Sequence, residues 1–270
     1  METPHVLFEV ADGIATVTLN RPEKRNAFSP EMIVRLVDIW KSVAVDPAIR
    51  VVLLTGAGHQ AFSAGGDLGT TIPLMMRTRE PVGEWEERFA ADRKQLYAAI
   101  LRGADFFKPV VAAINGHALA GGAEMTLSTD IRVISSEASI GITEVRRGLI
   151  AGGGSLVRLA RQIPWAQAME LALLGEPISA QQALAVGLVN RVVPPDQVMA
   201  TARDLAHRIS LGAPMALAKS KEAMVRSNGR PLEEAFAIES QCTKDNARTA
   251  DAREGPRAFM EKRPPRFTGQ

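Results

Sequence analysis

The chain holds a single cysteine, Cys242, so no intramolecular disulfide is possible and a reducing compartment fits. Its four histidines show no H-x-x-x-H spacing and there is no cysteine cluster, which leaves a metal site without support. No G-x-S-x-G occurs, which removes the serine elbow of many hydrolases. Neither sign of charge prevails: 32 Lys and Arg stand against 30 Asp and Glu, for a formal net charge of +2. A chain so balanced has no general attraction for nucleic acid or an acidic membrane. The longest uncharged run, Pro109 to Ala123, is shorter than the ~18 residues of a membrane span and contains Asn115, His117 and three glycines. The N-terminus, METPHVLFEVADG, lacks a basic stretch leading into an apolar one. No signal peptide and no membrane partner are expected, and the expected location is cytoplasmic.

What is present is a chain of 270 residues, 46% apolar, long enough for one large domain with a real core. VLFEV and IATVTLN bracket Asp12-Gly13 and predict a hairpin. Ser29, followed by Pro30, predicts the start of a helix that carries Ile33, Leu36, Val37, Trp40 and Val43 at helical spacing. VVLLT (51–55), PVVAAI (109–114) and IRVIS (131–135) predict short strands buried on both faces. Residues 71–107 read as a charged surface excursion, helical near Trp85 to Leu101. Beyond Ile150 helix signals dominate, with a strand at LVNRVV (188–193) before Pro194-Pro195. Two regions are therefore expected: an α/β body over 1–195 and an all-helical region over 196–270. The helical region carries apolar stripes, such as Val198, Ala202, Leu205 and Ile209, beyond what one small domain face needs, which suggests surface for an oligomer.

Two glycine-rich stretches invite a nucleotide reading. TGAGHQA (55–61) matches a dinucleotide fingerprint, but FSAGGD follows it where a helix would have to begin. AGGGS (151–155) lacks the Lys-Ser/Thr pair of a phosphate loop and reads as a turn that opens a helix. What remains is a pair of similar constructions, VVLLTG…FSAGGDL and VVAAINGHALAGGAEM. Each is a buried strand, then a bend of small residues, then an acid. Small residues let a ligand approach the main chain and leave amides uncovered. Two such amides aimed at one point would hold a developing oxyanion; two unrelated tight turns would look the same. Glu124 reads equally as an acid placed at a helix N-terminus or as a functional carboxylate among Ala123, Met125 and Leu127. Glu144, in ASIGITEVRRGL, is a second acid beside an apolar segment. Two carboxylates in a partly apolar site can divide acid and base roles by environment.

Together these residues resemble the crotonase (enoyl-CoA hydratase/isomerase) superfamily, from LNRPEKRNAFS to the C-terminus. The resemblance implies an α/β fold: a crotonase-like spiral of ββα units with a C-terminal all-helical trimerisation region, assembled as a homotrimer or a dimer of trimers. On FSAGGDL and NGHALAGGAEMTLSTD it implies that Gly66 and Gly121 supply the oxyanion amides, and that Glu124 and Glu144 are the catalytic acids. It implies substrate or CoA contacts at Lys24, Ala27, Ala64, Gly65, Asp67 and Leu68. Through EGPRAFMEKR it adds Phe259 and Lys262, which would reach a neighbouring subunit's CoA. No separate cofactor is implied, because CoA is part of the substrate, and no metal. Ala120, Thr143 and Ala151 depart from the family's Gly, Pro and Pro.

The implied reaction is addition of water to a 2-enoyl-CoA. Alternatives are the 3-enoyl-CoA to 2-enoyl-CoA isomerisation of the same family, which needs only the Glu144 position, and a non-catalytic member that binds acyl-CoA or RNA. For RNA the basic EKRPPRF (261–267) is the candidate, though a solvated tail carrying Lys262 explains it as well, and nucleic acid is not the expected partner. Met75, Met76, Trp85 and Phe89 are candidates for the acyl end of the cavity, or for ordinary helix packing. His5, His59 and His207 are expected to be exposed, His117 to pack, and Cys242 to be structural.

Overall fold

The computed structural model describes residues 3–103 and 105–270. The chain opens with an antiparallel hairpin, β1 (Val6–Ala11) and β2 (Ile14–Leu19), in register from Val6 opposite Leu19 to Ala11 opposite Ile14. Asp12 and Gly13 take φ of 52° and 75°, as a two-residue hairpin turn of this kind requires. Ser29 then caps α1 (Pro30–Val45): its Oγ accepts the Met32 N–H at 3.1 Å, and Pro30 fills the first turn. The helix buries Ile33, Leu36, Val37, Trp40 and Val43.

The chain now runs three times through one pattern. β3 (Val51–Gly56) leads into the short β4 (Ala61–Ser63). The helices α2 (Thr71–Met76), α3 (Glu84–Ala91) and α4 (Gln95–Ala99) follow, and β5 (Val110–Ile114) leads into β6 (His117–Leu119). After α5 (Gly121–Thr126), β7 (Ile131–Ser135) leads into β8 (Ser139–Gly141). The chain continues through α6 (Ser155–Gln162), α7 (Trp165–Leu174), β9 (Ile178–Ser179), α8 (Ala180–Ala185) and β10 (Arg191–Val193). It ends with α9 (Val198–Ser210), α10 (Pro214–Ser227), α11 (Leu232–Ala247) and α12 (Asp251–Met260).

The five longer strands and the short β10 form a sheet in the order β1-β2-β3-β5-β7-β10, parallel except for the hairpin; the other short strands form a second sheet, β4-β6-β8-β9. This is the expected spiral. Each turn passes from the first sheet to the second and delivers one loop at the far end of the second.

Alternation along β3 explains why its sequence is apolar throughout. Val52 and Leu54 join α1 in the main core, whereas Val51 and Leu53 meet α9 on the opposite face. α9 contributes Val198, Ala202, Leu205 and Ala206 to that second face, together with Ile14, Val111, Ala113 and Val133. The helical region expected from residue 196 thus opens with a helix that covers the sheet. The apolar stripe of α9, which in the sequence suggested surface for an oligomer, is buried in its own chain; burying one such side chain stabilises by about 1.5–3 kcal/mol.

Other expectations change in detail. The predicted strand 188–193 contracts to Arg191–Val193, because the Leu188 and Val189 amides still bond back to the Ala183 carbonyl at the end of α8. The excursion gains α2, and its later helix breaks at Asp92 into α3 and α4. Residues 61–63 and 117–119, read as bends, are strands of the second sheet. His5 is half-buried, with Nδ1 2.7 Å from Ser29 Oγ, whereas His59 and His207 are exposed. His117 is exposed as well, with Nδ1 2.9 Å from Ser139 Oγ. Cys242 is buried.

The basic C-terminal stretch folds back rather than extending into solvent. Arg263 pairs with Glu254 at 2.6 Å, the Asp251 carboxylate accepts the Thr268 and Gly269 amides at 2.8 Å each, and Arg50 donates to the Phe267 carbonyl at 2.8 Å. Among the described residues no helix is long and apolar enough to cross a membrane, and no cluster of three or more His, Cys, Asp or Glu is placed to hold a metal.

Candidate active site

Three successive turns of the spiral end at one place. The loop after β4 brings Gly66, the loop after β6 brings Gly121 and Glu124, and the loop after β8 brings Glu144. All four line one cavity of about 500 Å³.

The two amides are brought close by the absence of side chains. A Cβ on Gly65 would stand 2.7 Å from the Gly121 nitrogen, and Gly65 has φ of +87°. A Cβ on Gly122 would stand 2.2 Å from the Ser63 carbonyl oxygen, which lets α5 lie directly on β4. Phe28 bridges the first loop, donating its N–H to the Gly65 carbonyl at 2.8 Å and accepting the Asp67 N–H at 3.1 Å. That pattern skips the Gly66 amide, which donates no hydrogen bond to the described residues. Gly121 is the first residue of α5, so its amide has no partner within the helix. Two free N–H groups at the wall of one cavity form a site for a developing negative charge on oxygen. Ala120, which precedes them, adopts φ 50° and ψ −127°, a region that suits glycine. The departure from the family's glycine is therefore a strained one.

Asp67 fixes the first loop. It accepts the Gly69 and Thr70 amides at 2.8 and 3.1 Å and pairs with Arg21 at 2.9 Å, and Arg21 also donates to the Ala27 carbonyl. Burial raises its pKa, but the Arg21 hydrogen bond and these amides outweigh burial and hold the carboxyl below its usual range.

The two glutamates are buried, 4% and 8% exposed, yet their surroundings differ. Glu124 Oε1 accepts three hydrogen bonds: from the Gly153 N–H at 2.7 Å, the Ser155 hydroxyl at 2.8 Å and the Ser155 N–H at 3.3 Å. Glu144 begins a 3-10 turn, Glu144–Arg147, and its Oε2 is buried without a hydrogen-bond partner. Burial above all, and then the charge of Glu124, raise its pKa to about 7; Arg147 and the backbone amides of Glu144 and Thr143 offset only part of this. Near neutral pH the cavity thus holds one carboxyl poised to carry a proton, beside another tied down by donors.

Lys24, Ala27, Ala64, Asp67 and Leu68 also line the cavity. Gly65 does not: its N–H donates to Ser63 Oγ and its carbonyl accepts from Phe28, so it packs beneath Gly121. Phe259 and Lys262 lie exposed at the end of α12, away from the cavity walls of their own chain. Of the residues considered for the acyl end, Met75 and Met76 line the cavity. Phe89 is instead fully buried in the core, and Trp85 packs there with the Arg35 and Arg88 guanidinium groups 4.7 and 5.1 Å from its ring centre.

Sequence reasoning missed Ile72, Leu96, Tyr97, Ile100, Leu149 and Ile150 on the cavity wall. It also missed the function of AGGGS. That segment is indeed a turn opening a helix, with Gly154 at φ 108° before Ser155 starts α6. It is also the donor set for Glu124. A Cβ on Gly153 would stand 2.5 Å from Glu124 Oε2, so glycine there is a condition of the carboxylate's placement.

A family model described as enoyl-CoA hydratase/isomerase matches residues 9–270. The (E)-benzylidenesuccinyl-CoA hydratase of Thauera aromatica is 39% identical over 264 residues, spanning 98% of this chain and 99% of that one. An enoyl-CoA hydratase of Mycobacterium tuberculosis is 40% identical over 264 residues, spanning 98% and 96%. The crystal structure of an enoyl-CoA hydratase from Bacillus anthracis matches with a TM-score of 0.88 at 33% identity, covering 98% of this chain and 100% of that one. The spiral fold, the paired amides and these full-length likenesses agree: the chain belongs to the enoyl-CoA hydratase/isomerase family of crotonase-fold enzymes.

Proposed function

We propose that the protein adds water reversibly across the C2=C3 bond of a 2-enoyl-CoA thioester, giving a 3-hydroxyacyl-CoA. The observation that carries this reading is the meeting, in one cavity, of two unpartnered amides and two glutamates in unlike environments. The thioester oxygen accepts hydrogen bonds from the Gly66 and Gly121 amides, which stabilise enolate character as the double bond is attacked. Glu124 takes a proton from water while the water oxygen bonds to C3. Glu144 gives its proton to C2, and the electron pair of the former double bond forms that C–H bond. Glu124 ends protonated and Glu144 ionised. The reverse reaction, a dehydration, uses the same steps backwards. Lys24, Ala27, Ala64, Asp67 and Leu68 line the part of the cavity assigned to the CoA arm.

The test is a panel of 2-enoyl-CoA and 3-enoyl-CoA thioesters followed by the absorbance of the conjugated thioester. Hydration lowers the absorbance of the 2-enoyl series. A protein that leaves that series unchanged but raises absorbance from the 3-enoyl series is an isomerase working through Glu144, and the hydratase reading falls.

A homotrimer, alone or paired into a hexamer, is the assembly we propose with it. What supports it is apolar surface left open on the last three helices: Met224 is 78%, Leu232 71% and Phe259 82% exposed. In such an assembly Phe259 and Lys262 would meet the CoA of a neighbour. Light scattering at micromolar concentration should report about three or six times the 29.1 kDa chain mass. A monomer there would remove the proposal.

A further inference from the structure

The two oxygens of Glu124 are not equivalent. Oε1 takes all three donors described above, whereas Oε2 makes no hydrogen bond with the described residues and stays available to the cavity. Among the donors, two are backbone amides and follow from the turn itself. The third is a side chain. Ser155 is fully buried, and its hydroxyl has Glu124 as its hydrogen-bond partner. As the first residue of α6, Ser155 also spans both worlds, since its own amide points at the same oxygen.

We infer that Ser155 is a positioning residue of the reaction: its hydroxyl fixes Oε1 and thereby turns Oε2 toward the water. The inference rests on the assignment of Glu124 to the water. The neighbouring charges do not supply this geometry. Arg158, on the same helix, donates to the Leu101 carbonyl at 3.0 Å and reaches the Gly153 carbonyl at 3.5 Å, and forms no ion pair with Glu124 among the described residues. Arg102 is bonded to the Gly152 carbonyl and faces Arg158. Glu144 shares the cavity but repels a second negative charge, and Arg147 acts beside Glu144. These four groups set the local potential. Ser155 alone among the side chains sets which oxygen is presented.

A carboxylate that loses one of its donors swings more freely. Ser155→Ala should therefore lower kcat on a 2-enoyl-CoA by about ten- to a hundredfold, because a small misplacement of a reacting group is costly. KM should stay within about threefold, since the hydroxyl is not a substrate contact. Ser155→Thr restores the hydroxyl and should bring back kcat. If Ser155→Ala does not fold, Ser155→Cys, similar in volume with a weak donor, is read by the same fall in kcat at near-constant KM. A merely structural serine would lower the melting temperature and leave kcat of the folded variant in place, which overturns the inference. So would a Thr variant as impaired as Ala. A wild type inactive on every 2-enoyl-CoA removes the hydratase reading and this inference with it. An active wild type with an unaltered kcat in Ser155→Ala removes the inference alone.

Discussion

Glu124→Gln and Glu144→Gln should each slow hydration of a 2-enoyl-CoA at least about a hundredfold, because general acid–base help is worth about 10²–10⁴-fold. Glutamine keeps the size and part of the hydrogen bonding but exchanges no proton. The double variant should lose far less than the product of the two, since groups that act as a unit are not additive. The variants also separate the two family reactions. An isomerase would lose activity in Glu144→Gln and keep most of it in Glu124→Gln on a 3-enoyl-CoA. Rates near normal for Glu124→Gln on a 2-enoyl-CoA would remove its assigned role. The Glu144 variant has a second readout. Its carboxyl rises from 4.5 to about 7 on folding, so the folded chain holds the proton more tightly than the unfolded one. Stability therefore falls as pH rises from about 4.5 to 7, by up to about 3 kcal/mol. Glu144→Gln removes that loss. It should gain stability over wild type at pH 8 and show no such gain at pH 4 in urea unfolding; an equal difference at both pH values would count against the buried, proton-holding carboxyl.

Gly121→Pro should abolish most turnover by deleting one amide. Loss of a single oxyanion donor costs about 2.7–4 kcal/mol in the transition state, or about 10²–10³-fold in rate. The position permits the experiment. Gly121 is the first residue of α5, where proline is tolerated, and the added Cβ would stand 3.3 Å from a Phe28 ring carbon; Ala120, at φ 50° and ψ −127°, lies outside the extended region a residue before proline prefers, so the turn must shift and folding is checked by circular dichroism beside kcat. The neighbouring glycines do not offer the same reading, because a side chain at Gly122 would strike the Ser63 backbone and one at Gly65 would strike the Gly121 amide. Near-normal kcat in a folded Gly121→Pro protein would show that this amide is not a donor to the thioester.

Much of this site was legible in the sequence because backbone chemistry leaves a mark on residue choice. Gly65 and Gly122 stand where main chains touch and leave no room for a side chain, and Gly66 and Gly121 stand beside them on the cavity wall. The buried strands β3, β5 and β7 were legible for a related reason: core on both faces leaves no polar alternation to confuse the reading. The short strands of the second sheet were not, since three residues carry no period. The donor set of Glu124 was hidden too. Gly153 and Ser155 lie 29 and 31 positions away from it, and a glycine-rich turn before a helix has the same composition whether or not a carboxylate sits in it. The α9 stripe misled for the opposite reason, since an apolar face does not say whether it meets its own sheet or another chain.

The course of the spiral separates two kinds of evolutionary freedom. α2 to α4, which bring Ile72, Met75, Met76, Leu96, Tyr97 and Ile100 to the cavity, are inserted between β4 and β5. β5 itself is locked between β3 and β7 by its ladder, in register from Val52 opposite Val110 and from Val111 opposite Ile131. The middle of the insertion can change in length or composition without altering the ladder that positions the loops after β4, β6 and β8. It meets the chemistry at both ends: Ile72 stands against Gly66, Ile100 packs against Gly153 beneath Glu124, and Arg102 bonds to the Gly152 carbonyl. Diversification of substrate range in such a scaffold is thus a matter of exchanging the stretch between those two ends, whose anchors hold the reacting groups in place.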